Sequence, residues 1–445
     1  MSPKELMESA IDAALNFDVE ATLKEAVRLR NEDHIRVTPQ VILVRAANTD
    51  LARGSGLVRK YAPGIILRAD EPATGFAYQK NEFGRPIPNN LKKAWRDSLM
   101  KFDDYQLAKY RLDNHETKTR DVVRMVHPCS PVVSKLMLDE LKNTRTWEAI
   151  ISREGSTKAA WTKALDVMNH MGLLKNLRNL LEAGVEPDLF LNKLIEGVPY
   201  GKQLPFRYYS AYEAIKTIAP PSVLDGLEEC LKASLGNLPH FQGRVMSLCD
   251  NSGSAWGTTT SAMGTMHIAQ IGNLTGVVTG QVSDEGYIGI FGDRLETRPI
   301  RKSSSVFDML AEANKAGLNI GGSTENGIWL FWDKAIREQE HWDSVFIYSD
   351  MQAGHGMLYG IDTRDYADFT WQDGGSYTRK YIDIPKLINK YRSRVNPDVN
   401  VFLVQIAGYQ DTIVPEFYKR TYILGGWGLG LLNFAGSMIQ KGRAQ

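Results

Sequence analysis

The rhythm of apolar positions changes partway along this 445-residue chain. Up to about residue 240 they recur at helical spacing, and strand-like runs are scarce. Ala159–Leu174, Phe206–Ala219 and Ser222–Leu235 read as helices, punctuated by Gly184, Pro187, Gly197, Pro199 and the pair Pro220-Pro221. Short helices joined by tight turns stack into a solenoid, and with no sharp sequence repeat any repetition is structural. Beyond residue 240 compact apolar runs alternate with helical patterns. Arg244–Cys249, Tyr287–Phe291, Ser344–Tyr348, Val399–Ile406 and Tyr422–Leu424 suit buried parallel strands. Val306–Ala316, Gly327–Glu340 and Ile384–Arg392 suit the helices between them. The pattern predicts an α-helical solenoid over 1–240 and a doubly wound α/β domain over 241–445. Any site of the second domain then lies at the carboxyl ends of its strands.

Composition narrows the choice of function. With 43% hydrophobic and 24% charged residues the chain is neither disordered nor fibrous. Fifty-three basic residues face 52 acidic ones, so no global polycation announces a nucleic-acid partner. Cys129, Cys230 and Cys249 lie far apart, against a disulfide scaffold or a cysteine-rich zinc site. Two uncharged stretches, Asn251–Ser283 and Thr421–Gln440, are long enough to raise a membrane span. The first is full of Thr, Ser, Asn and Gln and the second holds five glycines, so both read as buried strand–turn–helix units. The opening residues show no basic stretch followed by an apolar one, so a soluble cytoplasmic protein is expected.

The sharpest motif is Asp250-Asn251-Ser252-Gly253-Ser254, directly after the run RVMSLC. An aspartate and two hydroxyls at positions 1, 3 and 5 turn toward one point at a strand's carboxyl end. Oxygen-only ligands of modest charge suit a hard divalent cation, magnesium above all. Gly321-Gly322-Ser323-Thr324 and Ser349-Asp350 are placed to complete the shell. The set resembles the metal-ion-dependent adhesion site of von Willebrand factor A domains. That resemblance implies Ser252, Ser254 and Thr324 as hydroxyl ligands, with Asp250 and Asp350 acting directly or through water; Ser323 is the alternative to Thr324. It further implies a site that binds an acidic group of a partner. A hydrolase is disfavoured, because G-x-S-x-G is absent and no histidine is tied to the serines by a motif.

Residues 51–127 carry 15 Lys and Arg against 9 Asp and Glu. Within them Lys118–His127, wound as a helix, puts Arg120, Arg124 and His127 at i, i+4 and i+7 on one face and valines on another. A basic stripe of this kind can meet phosphates, or simply be a solvated face. Gly84–Arg111 (GRPIPNNLKKAWRDSLMKFDDYQLAKYR), Thr119–Pro128, Met171–Gly184, Gln203–Tyr212 and Leu248–Gly257 together resemble the TROVE module and A domain of the Ro autoantigen family, from about residue 38 onward. The resemblance implies a ring of HEAT-like helical repeats closed by the A domain. Its partners would be Y-like RNA and misfolded small RNAs, with an exoribonuclease as a further partner, and no DNA or membrane. It implies RNA-binding roles for Lys109 and His127, with Arg111 at a neighbouring basic position; a further family arginine meets Asp113 or a gap. Tyr105, Tyr110 and Trp95 interleave with these cations and suit either base stacking or core packing.

The expectation is therefore a monomeric, ring-shaped, non-catalytic RNA-binding protein acting in small-RNA quality control, carrying magnesium in its A domain. The rival from another class is an adaptor that grips an acidic protein partner through the metal. A metal-dependent phosphodiesterase comes third.

Overall fold

Side-chain oxygens begin many of the helices in the first part of the chain. Asp18 accepts from the Ala21 amide at 3.0 Å, Asp103 and Gln106 form a reciprocal capping box, and Thr146 and Thr157 cap the helices that follow them. The computed structural model describes residues 3–141, 146–257, 266–322, 327–350, 370–372, 380–382, 384–406, 419–426 and 429–443. The chain forms two compact units, Met1–Val167 and Met168–Gln445.

The first unit is helical among its described residues. Helix Val19–Asn31 packs on Leu57–Ile65, which packs on Asn89–Leu99, which in turn packs on Thr119–Val126. Beside this row, Val37–Asn48 packs on Glu71–Glu82. Each helix meeting the one two places on is the stacking expected of a solenoid. Leu23, Leu43, Ile65, Leu91, Trp95, Leu107 and Val122 run through one continuous core.

The second unit begins with helices, among them His170–Lys175, Leu177–Glu182, Pro205–Ile215 and Pro221–Ser234. The single helix expected over Ala159–Leu174 is two, Lys158–Leu165 and His170–Lys175. Asn169 makes the break, taking extended backbone and accepting from the Gly172 amide at 2.8 Å to start a new helix. The change of rhythm near 240 marks the first strand, whereas compactness divides the chain at 167.

A six-stranded sheet follows: β1 (Phe241–Asp250), β2 (Ser283–Phe291), β3 (Leu295–Pro299), β4 (Ser344–Ser349), then β7 (Asn400–Gln405) and β8 (Thr421–Gly425), with the short pair β5 (Thr370–Gln372) and β6 (Lys380–Ile382) standing apart. The order is β3-β2-β1-β4-β7-β8, parallel except for the hairpin β2–β3. One face carries Met246, Leu248, Val345, Ile347 and Leu403 against Trp329, Trp332, Leu387 and Tyr391. The other face packs helix Ile268–Gln281, whose Gly276 comes so close to Cys249 that a Cβ there would stand 2.5 Å from the sulfur. The described parts of the uncharged stretches hold helices Gly253–Gly257 and Ile268–Gln281 in the first and strand β8 with helix Leu429–Arg443 in the second, and no described helix is long and apolar enough to cross a membrane. Chain order reverses between β1 and β4, which makes their carboxyl ends the crevice of the sheet.

Candidate metal centre and nucleic-acid interface

Asp250 and Asp350 end on those neighbouring strands, and both are buried, as are Ser252 and Ser349. Asp250 accepts from the Ser349 hydroxyl at 2.6 Å and from the Ser252 amide at 3.0 Å. Ser252 and Ser254 bring their hydroxyl oxygens to 3.1 Å. The Gly253 amide donates to the Gly322 carbonyl at 2.8 Å, so the loop before the third expected ligand segment lies against the first. Thr324 itself, with Ser323, lies outside the described residues. Burial, and then the charge of Asp350, push the Asp250 carboxyl up to about 6 against the pull of its Ser349 and Ser252 hydrogen bonds. Two buried acids, the buried Ser252 hydroxyl and the half-buried Ser254 hydroxyl are a donor set suited to a hard cation, and such a charge would relieve the raised carboxyl. Among the described residues no group of three or more His, Cys, Asp or Glu is gathered for a metal, so the set depends on its serines.

Behind this loop runs a file of amides, two of them fully buried, that the sequence did not announce. Asn251 and Asn273 exchange hydrogen bonds at 2.8 and 2.9 Å, and Asn273 donates onward to Asn314 at 2.9 Å. Gly317 is required there, since a Cβ would come within 1.9 Å of the Asn251 oxygen. The loop is thereby tied to helices Ile268–Gln281 and Val306–Leu318.

The basic stripe of the first unit is divided by its partners. Arg120 reaches Asp139 at 2.6 Å, and Arg111 bonds the same carboxylate as well as Asp113 at 2.8 Å. Lys109 leans on Tyr105, 3.3 Å from its hydroxyl, with its ammonium 5.6 Å from the Tyr110 ring. His127 is not on the helix face: it caps Thr119–Val126 in the left-handed conformation, φ 47°, with its side chain exposed. Arg124 is 67% exposed and loosely paired with Asp121 at 3.7 Å. Of the three aromatics, Trp95 is fully buried, Tyr110 lies beneath Arg68 at 4.2 Å, and Tyr105 is exposed.

Arg124 turns instead to a cleft of about 900 Å³, shared with Lys80, Arg85 and Lys92. Lys80 pairs with Glu116 at 3.6 Å, while Arg85 and Lys92 have no ion-pair partner among the described residues. Sequence reasoning missed these cations. The one available signal was the run GRPIPNNLKK inside the basic window, but the cleft is assembled from three segments that only the fold brings together.

Comparison with known proteins adds a family match over part of the chain, and the fold. Residues 135–221 match the TROVE domain family. Telomerase protein component 1 of Rattus norvegicus is 22% identical over 319 aligned positions, covering 50% of this chain and 12% of that protein. Its Mus musculus counterpart is 31% identical over 83, covering 17% and 3%. The chain thus spans a small fraction of the length of these curated relatives. Among solved structures, the Ro (Rsr) protein of Deinococcus radiodurans superposes with a TM-score of 0.66 at 13% identity, covering 99% of this chain and 93% of that one. Helices followed by a mostly parallel sheet flanked by helices are its fold too, so the chain has the Ro fold and within it a segment, 135–221, that matches the TROVE domain.

Proposed function

We propose that this chain is a non-catalytic RNA-binding protein of the Ro ribonucleoprotein kind, holding Y-like and misfolded small RNAs in cytoplasmic RNA quality control, with an exoribonuclease as a partner. The observation that carries this reading is the cationic cleft of the first unit. In a chain whose net charge is +1, Arg85 and Lys92 stand without carboxylate partners among the described residues beside exposed Arg124. Phosphates attract such groups from a distance and release counterions on contact. A-form helices hide their base edges from side chains, so recognition of a folded RNA at this surface is electrostatic and shape-directed.

In the second unit Asp250, Asp350, Ser252 and Ser254 would hold a divalent cation, magnesium by the hardness of the oxygen set. When bound, the ion supplies a Lewis-acidic position for an acidic group of a partner. The chain's own contribution is orientation: Ser349 and the Ser252 amide fix the Asp250 carboxylate, and the amide file holds the loop. Among the described residues Ser252 meets Ser254 and no histidine, which supports binding over nucleophilic attack. This site favours a second reading, a metal-dependent protein adaptor.

Filter binding of a structured small RNA across a salt series tests the first reading. Reversing charge at Arg85, Lys92 and Arg124 together should weaken affinity at least about tenfold at moderate salt and make the log–log slope shallower by about two to three units. Reversal at Lys386 and Lys390, on helix Ile384–Arg394 of the other unit, should change little. Equal losses from both sets would reduce the interaction to non-specific attraction, and no RNA binding at all would favour the adaptor.

A further inference from the structure

The cleft around Arg124 is more than a charged surface. Its floor is apolar, made by Phe76, Ile87 and Met125 with the ring of Pro86. Phe76 is half-buried and set edge-on to Trp95, with centroids 6.1 Å apart and planes at 77°. Gly75 lets that indole approach, since a Cβ there would already stand 3.3 Å from it. The phenyl ring is therefore braced from behind while it lines the cleft. At the rim, four cations face two acids, and both acids are engaged: Glu116 with Lys80, and Asp121 with the Lys118 amide at 2.9 Å and with Arg124.

A surface that reads only a phosphate backbone needs cations and gains nothing from an apolar floor. A volume of about 900 Å³ is also far more than one phosphate fills. Every nucleobase, by contrast, has a flat apolar face that stacks on aromatic and aliphatic side chains once it is unpaired. We propose that this cleft takes an unpaired nucleobase, seated on Phe76, Ile87 and Met125, with the phosphates on either side held by Arg85, Lys92 and Arg124. The inference rests on the RNA-binding reading above and adds the part of the RNA that is held there. An excess of six basic residues over 51–127 favours a polyanion over an apolar peptide as the occupant.

The test compares two strands of equal length and charge on the full chain by fluorescence anisotropy: a short oligoadenylate, and a ribose–phosphate strand lacking every base. The intact strand should bind at least about fivefold more tightly, the lower end of what one base–aromatic stack contributes. Phe76→Leu should bring the intact strand to the level of the abasic one and leave the abasic strand where it was. Arg85→Ala with Lys92→Ala should weaken both strands alike. The comparison on the unaltered chain requires no variant to fold. Equal affinity for the two strands would overturn the nucleobase pocket and leave RNA binding standing, as would binding of structured RNA but of neither strand. A base preference that survives in a folded Phe76→Leu chain would place the base elsewhere and overturn this cleft. Failure of every RNA to bind would sink the underlying reading too, leaving the cleft to an acidic peptide.

Discussion

At the scale of single residues, burial decides what the titratable groups do. His170 is buried against Tyr208, its Nε2 2.8 Å from the hydroxyl, with Gly197 and Gly201 pressed so close that a Cβ on either would strike the ring. Burial lowers its pKa below the usual histidine value. The unfolded chain then binds this proton more readily than the folded one, so stability is present above about pH 6.5 and falls as pH drops below it. Thermal melts between pH 7 and pH 5 should show this decline, and His170→Gln, which keeps a hydrogen-bonding end without the charge, should flatten it. An unchanged slope in that variant would assign the decline to other groups. Asp250 is the second case. Asp250→Asn keeps the shape of the loop but removes half of a carboxylate pair, so calorimetric magnesium or manganese binding should be lost while the melting temperature without metal holds or rises. Retained metal binding would take the site elsewhere.

At the scale of elements, close backbone approach sets the tolerance of the α/β layers. Gly286 in β2 faces the end of helix Ile268–Gln281, and an added Cβ would stand 2.2 Å from the Gly280 carbonyl oxygen. Both partners there are backbone and cannot swing aside. Gly286→Ala should therefore cost about 1–3 kcal/mol in denaturant unfolding, and a neutral result would mean the helix is free to slide. The strands themselves were legible in the sequence because buried parallel strands are continuous apolar runs, as SVFIY and VFLV are. The loop Asp250–Ser254 was legible because a strand's end dictates where the next residues point. The break at Asn169 was not, since one polar residue in an apolar rhythm reads as a solvated helix face until its cap is seen. The pairing of Arg120 with Asp139 escaped for another reason: the two are 19 positions apart and joined only by the fold.

At the scale of the whole chain, the helices after residue 168 belong with the sheet. Tyr212 stacks on Phe307 with ring centroids 4.1 Å apart, and Glu228 caps helix Val306–Leu318 by accepting from the Ser305 hydroxyl and the amides of Val306 and Phe307. A fragment cut at the first strand, 241–445, would lose that cap and uncover Phe307. It should bind a hydrophobic dye and melt without cooperativity, whereas 168–445 should unfold in one transition. Cooperative unfolding of the shorter fragment would show that the sheet does not need its helical neighbours. The change of rhythm at 240 thus marks where secondary structure switches, while the tertiary unit begins earlier. Rhythm reports local burial and carries no record of which helix packs on which layer.

Asp139 changes what it means for a ligand to bind nearby. One carboxylate holds Arg111 and Arg120 together, and those arginines keep its pKa low, so it stays ionised well into acid. A polyanion docking on these arginines must therefore enter by exchange, trading carboxylate contacts for phosphate contacts, and its affinity there is the difference between two similar bonds. A lone phosphate gains little from such a trade. A strand that offers several phosphates at once wins it, because one resident carboxylate cannot answer them all. As a nucleic-acid surface it would favour connected charge, and would do so by virtue of a negative residue.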